Sequence, residues 1–232
     1  MSSWYADLTD FVVNVAPAFG PGLVMTLQLL IISTALSFAG AIVLGIARVS
    51  GNPLVAYPAF AYSAFFRGTP LIVQIFLIYY GVSQFHAVRH SFVWPILRES
   101  FPCALIALTL NMVAYLGEVI RGGIQAVPKG EREAALSFGM GPVLMYRRII
   151  LPRALRLMLP ALCNEVLIQL KSTSLASTIT LLDVTGVGRR FAAASYSTTP
   201  LLIAGAIYVV LTFVIIQIFR LLEQRFNRFQ RT

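Results

Sequence analysis

Charge is what this sequence has least of. Only 12% of its 232 residues are charged, against about 25% in soluble domains. Meanwhile 58% are hydrophobic and the mean hydropathy is +0.79. A water-soluble domain is excluded, and the chain reads as an integral membrane protein. Acidic residues are scarcer than basic ones, 9 against 18, for a net charge of +9. In a soluble protein that excess would point to nucleic acid. Here the basic residues sit beside apolar runs, as the positive-inside rule describes, and nucleic acid is not an expected partner.

Other shortages narrow the field. The two cysteines, Cys103 and Cys163, lie within apolar runs without metal-ligand spacing, so they read as packing residues. His86 and His90 stand one helical turn apart but have no third ligand beside them, and no metal site is expected. No G-x-x-x-x-G-K-[ST] occurs, so the chain is not expected to bind ATP by that route. No basic n-region precedes the first apolar run, which is also too long for a signal-peptide core, so that segment is expected to stay in the mature protein. Without internal repeats or a soluble segment, residues 1–232 read as one membrane domain.

Residues 3–17 carry apolar side chains at spacings near three and four and predict a short interfacial helix. Gly22 to Ala47 is long enough to cross a hydrocarbon core of about 30 Å. Its Thr26, Ser33, Ser37 and Gly40 share a face on which another helix could lie close. A second span, Leu54 to Gly81, is interrupted by Arg67-Gly68-Thr69-Pro70, where proline predicts a kink. Arg67 there reads either as snorkelling to an interface or as part of a transport path. Ser83 to Ser100 reads as an external loop, and Phe101–Val119, Ala154–Leu182 and Pro200–Leu222 as the third to fifth spans. Twelve basic residues then fall on one side: Arg48, Arg121, Lys129, Arg132, Arg147, Arg148, Arg153, Arg156, Arg220, Arg225, Arg228 and Arg231. Four fall on the other: Arg89, Arg98, Arg189 and Arg190. The C-terminus and the loop at 128–152 are therefore expected in the cytoplasm and the N-terminus outside.

That loop is the longest water-compatible stretch. Glu131 and Glu133 suit the first turn of a short helix, and Ala134 and Ala135 leave a bare surface for another backbone. Gly139 and Gly141 permit a turn, and Pro142 suits the start of a second helix. A helix of roughly eight residues needs something to dock on.

Polar side chains inside the spans need a reason, since a charge at the bilayer centre costs about 2.5 to 3.5 kcal/mol on insertion scales. Asn111, Tyr115 and Glu118 share one helix face, and Glu165, Gln169 and Ser172 repeat the spacing beside Asn164 and Lys171. One reading ties these groups together to hold helices, pairing Glu118 or Glu165 with Lys171. The other, favoured here, has them line a solvated substrate path. Both carboxylates are placed at or near mid-membrane, where they would favour a cation.

Glu133-Ala134-Ala135, three residues, Gly139, nine residues and then Ile149-Ile150-Leu151-Pro152 resembles the cytoplasmic "EAA" loop of permease subunits in binding-protein-dependent ABC importers. Arg67-Gly-Thr-Pro-Leu71, Leu110-Asn111 with Ala114-Tyr115 and Glu118, Asn164-Glu165-Val166 and Lys171-Ser-Thr-Ser-Leu175 are similar to the polar amino acid branch. The histidine/lysine/arginine/ornithine and octopine/nopaline subunits come nearest in pattern. Glu131 departs from the glutamine more usual there. The resemblance implies an all-α, type I permease fold of five transmembrane helices in the bacterial inner membrane. It implies import of a polar, cationic amino acid or opine, with Asn111, Tyr115, Glu118, Asn164, Glu165 and Gln169 along the path. Glu133, Ala134, Ala135 and Gly139 would couple to an ATP-binding cassette ATPase. The implied partners are two such ATPases carrying the ATP, a second permease subunit, a periplasmic solute-binding protein and membrane lipid. The chain itself would be no enzyme. The rival class, an ion-coupled secondary transporter, would need internal repeats and more helices.

Overall fold

Prolines mark several of the places where helices of this chain begin or break. The computed structural model describes residues 16–227, and every regular element among them is helical. The interfacial helix expected over 3–17 lies outside the described residues except for its last positions, in a 3-10 turn at Ala16–Ala18. Helix α1 spans Phe19–Arg48. Helix α2, Pro53–Gly68, opens with Pro53 in its first turn and Asn52 as its cap, whose Oδ1 accepts from the Leu54 amide at 3.0 Å.

Pro58 lies within α2 without ending it, but at Pro70 the expected kink is a full break. Pro70 has no N–H to continue the ladder and keeps Thr69 out of the helical region. Both residues are extended, with ψ of 142° and 132°. Helix α3, Leu71–Phe76, starts afresh and runs on through a π turn, Leu77–Gly81, and a 3-10 turn, Val82–Gln84. The loop that follows holds two single helical turns, His86–Arg89 and Trp94–Leu97. Then come α4, Ser100–Gln125; α5, Lys129–Ser137; α6, Leu151–Thr173; α7, Val184–Ser195; and α8, Thr199–Asn227.

Ala16–Arg48, Ser100–Gln125 and Thr199–Arg225 are long and apolar enough to cross a membrane, and α2 with the segment to Gln84 forms a broken fourth crossing or a re-entrant pair. The fourth span expected over 154–182 is shorter than its reading. Helix α6 stops at Thr173, tightens into a 3-10 stretch, Ser174–Ile179, and Thr180 closes it at φ 74°. With Arg153, Arg156, Asn164, Glu165, Gln169 and Lys171 along it, α6 is less apolar than the three clear spans. The sequence reading missed α7 altogether.

The contacts divide into two units, and the long helices contribute to both. The described part of the first comprises 16–34, Pro70–Thr109 and Ile168–Phe213. Its core gathers Leu29, Ile75, Cys103, Ala107, Leu108 and Ile179, which makes Cys103 a packing residue. A second cluster joins Phe19, Val184, Val187 and Ala204. The second unit takes Ala35–Thr69, Leu110–Leu167 and the described chain from Val214 onward. In it α1 and α4 lie nearly backbone to backbone. A Cβ on Gly45 would stand 2.7 Å from Ile120 Cγ2 and 3.1 Å from the Gly117 carbonyl oxygen. Of the small-residue stripe read on α1, Thr26, Ser33 and Ser37 are fully enclosed, and half-buried Gly40 faces Val113.

Candidate functional site

The break after α2 leaves its last carbonyls without helical partners, and α4 supplies replacements. Asn111 Nδ2 donates to the Phe66 carbonyl at 3.1 Å, and the Tyr115 hydroxyl reaches the Arg67 carbonyl at 3.5 Å. Tyr62 answers in the other direction, its hydroxyl donating to the Leu110 carbonyl at 2.7 Å. The face of α4 that carries Asn111, Tyr115 and Glu118 is thus partly spent on holding the end of α2.

Glu118 is heavily engaged. Arg48 Nε lies 2.7 Å from its Oε1, Arg121 Nε 2.8 Å from its Oε2, and Arg67 Nη1 3.8 Å from Oε2. Three guanidinium groups around one carboxylate leave this cluster net positive, so Glu118 by itself is no open cation site. Its ion-pair partners are arginines and not Lys171. Nor does it sit at mid-span, because its partner Arg48 ends α1 and Glu118 itself stands near the end of α4. The Arg121 pairing was readable as an i,i+3 spacing; Arg48 stands 70 residues away and left no local signal.

Arg67 is the most exposed of the three arginines. Its guanidinium lies 5.4 Å from the centre of the Tyr115 ring and also acts electrostatically on Glu165. Glu165 lies mid-way along α6 and is partly buried, while neighbouring Asn164 is exposed. Arg67, Tyr115 and Glu118 therefore form one polar group within the second unit, with Glu165 of the same unit in electrostatic reach of Arg67. Gln169 does not join it. Belonging to the first unit, and only 3% exposed, it donates to Ser33 Oγ at 2.8 Å and to the Leu108 carbonyl at 3.3 Å, a tie between helices. Lys171 is exposed and lines a cavity of about 250 Å³ with Ser174, Thr185 and Tyr208.

Around α5 the chain forms helix, turn and helix. Gly139 has φ 72°, the Gly139 amide donates to the Leu136 carbonyl and the Met140 amide to that of Ala135, a Schellman closure. Pro142 then opens a short helix, Pro142–Met145. Glu131 occupies the first turn of α5, whereas Glu133 falls beyond it. The two alanines part company. Ala135 is 2% exposed and packs inward with partly buried Glu131 and Arg132; Ala134 faces out with Glu133 and Leu136. The bare outward surface is therefore Ala134 alone, extended by Leu136 at 59% exposure and Phe138 at 85%. On the inward side Arg132 Nη2 donates to the Ile124 carbonyl at 2.5 Å, and Arg153 Nε pairs with Glu131 Oε1 at 3.3 Å.

A helical membrane chain with this loop matches one family. Residues 37–228 fit the pattern of the binding-protein-dependent transport system inner membrane component, and the chain belongs to that family. It is 49% identical over 203 residues to the octopine transport system permease protein OccM of Rhizobium radiobacter, covering 87% of this chain and 83% of that one. It is 41% identical over 206 residues to the histidine/lysine/arginine/ornithine transport system permease protein HisM of Escherichia coli K12, covering 88% and 87%. A crystal structure of an amino acid ABC transporter with histidines superposes with a TM-score of 0.82 at 33% identity, over 92% of this chain and 96% of that one. The fold is that of a type I importer permease. The protein is a permease subunit of an ABC importer rather than an ion-coupled transporter.

Proposed function

We propose that this subunit carries a cationic amino acid or an opine into the cytoplasm, driven by ATP hydrolysis on separate ATPase subunits and supplied by a soluble binding protein. A second permease subunit, the same or similar, completes the path, and lipid surrounds it. The observation that carries the coupling half of this reading is the outward face of α5, where Glu133 and Ala134 sit beside exposed Leu136 and Phe138. A short helix with an apolar, uncovered face is suited to a cleft in another protein. The twelve-to-four division of basic residues supports a cytoplasmic position for that face and the C-terminus.

For the substrate, Glu165 is the carboxylate best suited to meet an incoming guanidinium or ammonium group. Arg67, which acts on it electrostatically, is itself shared with Glu118. Tyr115 and Asn164 supply hydroxyl and amide groups for the α-amino and carboxylate ends of a ligand, with Asn111 and Glu118 holding the end of α2 beside them, while buried Gln169 serves as a helix tie. Similarity to octopine and histidine/lysine/arginine/ornithine permeases supports a cationic cargo. The test is purification with the native ATPase and binding protein, followed by ATP hydrolysis over a panel of amino acids and opines. Stimulation by arginine, ornithine or octopine above glutamine is expected. Equal stimulation by neutral members would overturn the cationic assignment.

A further inference from the structure

Helix α5 lies between two short connections. Three residues, Ala126 to Pro128, separate it from α4, and the turn Phe138 to Gly141 leads into Pro142–Met145 and a π stretch, Tyr146–Ile150, that runs on into α6. Two side-chain contacts reinforce these connections. Arg132 lays its guanidinium on the carbonyl of Ile124, the penultimate residue of α4, where the helix has no amide of its own to offer and its dipole is negative. Glu131 reaches Arg153, the third residue of α6. The two contacts leave adjacent residues of α5, on the face that also buries Ala135 and away from Glu133 and Ala134.

We propose that Arg132 and the Glu131–Arg153 pair are positioning residues that fasten α5 at once to the end of α4 and the start of α6, so that a displacement of α5 is delivered to both helices. The inference rests on the docking of α5 described above. Arginine suits the first contact because its planar fork holds a fixed direction, which a lysine ammonium on a flexible stem does not. The second contact is a partly exposed ion pair, with side chains 31% and 35% accessible, and such pairs contribute little to stability. Its effect is on where α5 sits. It adds a direct link from α5 to the start of α6 beside the covalent route through the turn, Pro142–Met145 and Tyr146–Ile150. Glu131, the departure from the more usual glutamine, thereby acquires a role within its own chain.

The experiment uses the complete transporter in liposomes. Substrate imported per ATP hydrolysed is measured for radiolabelled arginine, or for whichever panel member the unmodified complex imports fastest. Glu131→Gln, Arg153→Gln and Arg132→Met are expected to lower that ratio roughly three- to tenfold while the ATPase stays bound, the size of a coupling change. Arg132→Lys should recover part of the loss, and the exchange Glu131→Arg with Arg153→Glu should recover most of it. Unchanged ratios in the single variants, or an exchange no better than either single, would overturn the proposal. Glu133→Lys, on the outward face, tests the docking itself. Loss of bound ATPase in that variant supports docking, and normal binding and import would refute it independently of the ratios above.

Discussion

Gly139 is the one glycine among the described residues whose backbone takes a positive φ. At φ 72° it occupies a region that costs an ordinary L-residue about 1 to 2 kcal/mol and a β-branched one more. No neighbouring atom lies where its Cβ would be, so the constraint is conformational and not steric crowding. Gly139→Val is expected to abolish uptake while leaving membrane insertion intact, and Gly139→Asn to retain much of it, because asparagine tolerates this conformation. Uptake normalised to membrane level checks both. At Gly45 the obstacle is the opposite one, since an added side chain would enter Ile120 and the Gly117 carbonyl. Gly45→Val should destabilise the helix pair by about 1 to 3 kcal/mol, read as a lower melting temperature in detergent.

Among the elements, α7 depends most on a single cap. Fully buried Asp183 accepts from the amides of Thr185 and Gly186 at 3.2 and 3.0 Å and from the Tyr208 hydroxyl at 3.1 Å, while the Val184 amide donates to Thr26 Oγ1. Asp183→Ala strands three donors and should cost about 2 kcal/mol or more; Tyr208→Phe removes the bond to Asp183 and the one accepted from the Thr185 hydroxyl, and should cost about 1 to 2 kcal/mol. Thermal unfolding of the purified complex separates the two. This element also marks where reading the sequence ran out. Val184-Thr-Gly-Val-Gly holds two glycines in its first turns, a poor helix by local preference, and what nucleates it is an aspartate fixed by a tyrosine 25 residues on. Gly139 and Pro142 were legible because their reasons are local. The stripe from Thr26 to Gly40 was legible because periodicity survives folding. The arginines around Glu118 and the inward turn of Ala135 were not, since each depends on which helix lies opposite.

For the whole molecule, the proposed orientation and cargo can be tested separately. A reporter fused after Thr232 should be active only in the cytoplasm, and periplasmic activity would contradict the charge-based orientation. Glu165→Gln should reduce arginine uptake while sparing any glutamine uptake. Glu118→Gln, which leaves Arg48 and Arg121 without their carboxylate, should lower assembly as well as transport. Equal loss of both substrates in the Glu165 variant would make that carboxylate a structural group.

The polarity of α6 also bears on how the chain is synthesised. Nine Leu, Ile and Val residues in Leu151–Thr173 favour entry into lipid by about 0.3 to 0.6 kcal/mol each at best, against Glu165 near the middle and three basic residues toward the ends. On that balance the segment has little reason to leave the translocon alone. It should be held there until it packs on α4, which has already emerged and shelters its Gln169. Placed by itself between glycosylation acceptor sites, α6 is expected to integrate poorly. Preceded by residues 16–150 it should integrate efficiently, which would make the order of emergence from the ribosome part of how this protein reaches its fold.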